Sequence, residues 1–82
     1  MHKMIKAYVL IRIEANKADS VLAELTEIKE IKTACVVTGP FDLIAFVEVE
    51  DFQRLGDLIS GKVHKLDGIL STTTCIAIKG QC

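Results

Sequence analysis

Residues 35–49 read CVVTGPFDLIAFVEV, two apolar runs joined by Thr38, Gly39, Pro40, Phe41 and Asp42. Glycine reaches positive φ without steric cost and proline presets its own φ, so both belong in tight turns. The flanks are rich in β-branched and aromatic residues, the composition of strands. The stretch therefore predicts an antiparallel hairpin, with strands over 31–38 and 43–49. A wholly parallel sheet is excluded, since parallel neighbours need a long crossover. The same turn gathers backbone amides, a flexible glycine, an aromatic ring and a carboxylate at one exposed place. That set suits a small ligand, although Gly, Pro and Asp also serve turns for purely conformational reasons.

Upstream, residues 4–14 place Ile5, Ala7, Val9, Ile11 and Ile13 in alternation with Lys6, Tyr8, Leu10, Arg12 and Glu14, the period of two that marks a strand. Asn16 is positioned to cap a helix, with Ala18, Val21, Leu22, Leu25 and Ile28 on one face. Downstream, Asp51 is a second cap, and Phe52, Leu55, Leu58, Ile59, Val63 and Leu66 form another apolar stripe. Asp67 and Gly68 then turn the chain into a last strand over 69–79.

The order strand, helix, strand, strand, helix, strand predicts one α+β domain over residues 1–82. With short, right-handed connections, the economical topology is a ferredoxin-like antiparallel sheet of four strands in the order 4-1-3-2. Two helices cover one face of such a sheet, yet strands one and three are apolar on both. The expected lid is the same face of a second copy, helices outward. Composition agrees: of 82 residues, 50% are hydrophobic and the mean hydropathy is +0.37, more apolar surface than a small monomer hides.

The formal net charge is -1 and the ten Lys and Arg residues are dispersed, which argues against direct nucleic-acid contact. Cys35 and Cys75 fall within strands and read as buried, reduced thiols, while Cys82 ends an exposed tail. No CxxC pair is present, and His2 and His64 lack partners at ligand spacing, so no metal or cofactor is expected. No signal peptide is expected, since the apolar stretch near the N-terminus lacks a small-residue cleavage site, and no apolar run is long enough for a membrane helix; a cytoplasmic location is expected.

The assembled pattern resembles the C-terminal effector-binding (RAM) domain of the Lrp/AsnC family of amino-acid-responsive transcription regulators. TGPFDLIAFVEVED at 38–51 and LDGILSTTTCIAIK at 66–79 carry the likeness. Phe41 stands where the family usually has Tyr. The resemblance implies a dimeric α/β barrel, assembly of dimers into larger homo-oligomers, and a small effector, commonly an amino acid, held where protomers meet. Full regulators of the family carry a helix-turn-helix segment ahead of this domain. The chain begins near the first strand, so a stand-alone form is expected, with hetero-assembly with full-length regulators as a further implied partnership.

Read as a site, Gly39 and Phe41 offer N–H groups to an effector carboxylate and Asp42 accepts from its α-amino group. Thr38 and Pro40 complete that turn; Thr72, Thr73 and Thr74 are further candidates, though Thr also simply favours strands. With strands one and three taken as parallel, the Thr run falls at the opposite end of the sheet from the turn. One pocket using both would then draw on different chains. Catalysis is not expected, because no nucleophile lies beside a base and no carboxylate dyad is evident. The competing readings are a small dimeric α/β-barrel enzyme of the monooxygenase or isomerase type, and an adaptor that only co-assembles with full-length regulators.

Overall fold

The structure, a computed structural model, describes residues 4–81; His2 and Cys82 lie outside them. β1 (Ile5–Ile13), α1 (Ala18–Thr26), β2 (Ile31–Val36), β3 (Leu43–Val49), α2 (Phe52–Leu58) and β4 (Ile69–Ile76) follow in order, and a π-helical turn over Ile59–Val63 extends α2. The strands assemble as β2-β3-β1-β4, the ferredoxin-like order read from the sequence.

The period of two decides which side chains meet the helices. Ala7, Val9, Ile11 and Ile13 of β1 and Leu43, Ala45, Val47 and Val49 of β3 are all buried. Val21 and Leu25 of α1, Ile31 of β2, Leu55 and Leu58 of α2, and Val63 complete this core. The π turn contributes to the packing. His64 N–H donates to the Ile59 carbonyl at 2.8 Å, and the wider turn brings Val63 round to the side that buries Leu58.

The opposite face of the sheet is uncovered. Tyr8 and Phe46 sit in register on β1 and β3, with ring centroids 5.1 Å apart. Leu10 and Ile44 form the next pair on that face. Cys35 lies opposite Ile44 and Cys75 opposite Tyr8. Both thiols are therefore exposed rather than buried, because their register directs them away from the helices.

Other expectations are also corrected. Asn16 does not cap α1: it takes a left-handed conformation (φ 70) and turns the chain. The helix begins later, at Ala18, and Lys17 at its N-cap makes no side-chain capping bond. Asp51 does cap α2, accepting from the Arg54 N–H at 2.8 Å. Phe52 precedes the packed stripe and is 66% exposed. β2 and β4 are each shorter than read, ending at Val36 and Ile76.

One correction bears on function. β1 is antiparallel to both β3 and β4, so strands one and three are not parallel. The crossover through α1 returns β2 alongside β1 in direction, and β3, hydrogen-bonded between them, must oppose both. β3 and β4 consequently start from the same end of the sheet, and that end carries both the turn and the Thr run.

Candidate functional site

The turn is anchored at its base. Val37 N–H donates to the Asp42 carbonyl at 2.9 Å, and Asp42 N–H donates to the Ile11 carbonyl at 2.9 Å. The Asp42 carboxylate then accepts from the Ile13 N–H through Oδ2 at 2.8 Å. Here the register between β1 and β4 slips between Arg12 and Ile13, passing over Leu70. Asp42 thus serves a backbone donor at an irregular place in the ladder, a structural task the sequence did not suggest. Between the anchors, Gly39 has φ +123, a conformation favouring glycine, and its missing Cβ would meet nothing within 4 Å. The N–H groups of Thr38, Gly39 and Phe41 form no hydrogen bond among the described residues. Thr38, Gly39 and Pro40 are exposed, while Phe41 and Asp42 are half-buried.

Ile11 pairs with Leu43 on one side and Thr72 on the other. Strands lie about 4.8 Å apart, so the start of β3 and the Thr run are roughly 10 Å from one another across β1. The structure brings the two groups to one end but leaves a strand between them. It also divides the Thr run. Thr72 and Thr74 pair with the buried Ile11 and Val9 and face the helices, whereas Thr73 pairs with Leu10 on the open face. Thr72 Oγ1 is 2.8 Å from His64 Nε2, a partner for the imidazole that sequence spacing did not reveal.

Two connections close this end of the molecule. Glu14 N–H donates to the Gly68 carbonyl at 2.8 Å. Lys17 Nζ donates to Asp67 Oδ2 at 2.8 Å, and that hydrogen bond, with the attraction of the Asp67 charge, raises the Lys17 pKa. Gly68 permits the approach: at φ +104, a Cβ there would lie 2.8 Å from Lys17 Cβ.

The far end of the sheet holds a cleft of about 140 Å³ among Lys29, Lys32, Glu48, Glu50 and Arg54. Arg54 Nε lies 3.8 Å from Glu50 Oε1 there, and Lys62 Nζ lies 3.3 Å from Glu30 Oε1 nearby. Among the described residues, no cluster of His, Cys, Asp and Glu has the makings of a metal site. No helix there is long and apolar enough to cross a membrane.

Residues 6–80 match the family model described as the Lrp/AsnC ligand binding domain. The chain belongs to the Lrp/AsnC family. An uncharacterised HTH-type transcriptional regulator from Pyrococcus abyssi is 39% identical to this Lrp/AsnC domain over 72 residues, which cover 88% of this chain and 46% of the regulator. The domain spans about half the length of the curated relatives it matches. Among solved structures, a protein from Thermus thermophilus has a TM-score of 0.90 at 32% identity, with 96% of this chain and 99% of that one covered. A hypothetical protein from Pyrococcus horikoshii has a TM-score of 0.86 at 36% identity, covering 94% and 93% of the two chains. Family and relatives together support a regulatory, effector-binding role.

Proposed function

We infer that this Lrp/AsnC domain is a non-enzymatic sensor that binds a small metabolite, an amino acid, at the end of the sheet formed by the Gly39 turn, and that occupancy shifts its assembly with further copies. The observation that carries this reading is the turn itself. The Asp42 anchor ties down its base while the N–H groups of Thr38, Gly39 and Phe41 have no partner within the described residues. Unpaired backbone amide donors close together in a turn favour an anionic group such as a carboxylate. Thr72, Thr73 and Thr74 lie across β1 from the turn, so a pocket using both groups is completed by a second protomer that brings its own Thr run or turn near. The open face bearing Tyr8, Phe46, Leu10 and Ile44 is the surface on which that protomer sits. A ligand bound only by the assembled form stabilises it by about 2.7 kcal/mol at a hundredfold excess over Kd.

Isothermal titration of the chain with the proteinogenic amino acids, paired with sedimentation velocity, tests this. The expected result is saturable heat for at least one amino acid and a ligand-dependent change in sedimentation coefficient. No heat across the panel removes the amino-acid reading. Binding without any change in mass removes the coupling to assembly.

A further inference from the structure

We draw no further inference here: the strongest candidate, the cleft of about 140 Å³ at the far end of the sheet among Lys29, Lys32, Glu48, Glu50 and Arg54, carries nothing, because its lining mixes charges of both signs on side chains that are not buried and nothing in the structure shows which chemistry it would hold.

Discussion

At the scale of single residues, Asp42 has two separable tasks. Oδ2 holds the Ile13 N–H at 2.8 Å, in a half-buried position where a lost acceptor is not readily replaced by water. Asp42→Ala is therefore expected to cost about 1–3 kcal/mol, the penalty of an unsatisfied backbone donor. Asp42→Asn keeps an oxygen in place and is expected to lose less than half as much. Urea unfolding of both variants measures this; equal losses would show that charge, rather than the acceptor, matters at that position. The clamp was not legible in the sequence, since Asp after a Gly-Pro turn satisfies ordinary turn chemistry and nothing local marks Ile13 as its partner.

At the scale of elements, periodicity is a strong guide to what each strand and helix buries. The alternation of β1 and β3 translates directly into the two faces, and β3 runs from Leu43 to Val49 as expected. Direction and termini were harder. Antiparallel pairing of β1 with β3 follows only once the crossover through α1 is carried through in three dimensions, and Asn16 combines cap chemistry with a tolerance of positive φ that the chain uses for turning. The loop from α1 into β2 also carries a titratable tie to the turn after α2. Glu30 has its pKa lowered, chiefly by a hydrogen bond from its own backbone N–H and then by Lys62, although partial burial opposes the shift. A carboxylate whose folded pKa is lowered contributes stability above its ordinary value of 4.5, and that contribution disappears as the pH falls through the folded pKa. Lys62→Met should thus destabilise the chain at pH 7 by less than about 1 kcal/mol, the range of partly exposed pairs. The difference should vanish in acid once Glu30 is protonated. Urea titrations at neutral and strongly acidic pH compare the two chains; a difference that persists in acid would attribute the effect to lost packing of the lysine stem.

At the scale of the whole molecule, the helices conceal one face of the sheet and leave the other with an aromatic pair at its centre. Tyr8 is 37% exposed, and Leu10, Ile44 and Phe46 are half-buried in the isolated chain. Such a surface is costly to keep in water, and a second copy would bury it on both partners at once. Phe46→Glu separates the roles of the two faces, because Phe46 belongs to the open face and takes no part in the helix-covered core. The unmodified chain is expected to sediment as a dimer or larger species, with a melting temperature that rises with protein concentration as mass action requires. The variant should sediment as a monomer with the same far-ultraviolet circular dichroism and a concentration-independent melt. If the effector site draws on two protomers, Phe46→Glu should also lose amino-acid binding even though Thr38, Gly39 and Asp42 are untouched. Retained binding in a proven monomer would place every essential contact within one chain, whereas retained oligomeric mass would move the interface away from this face.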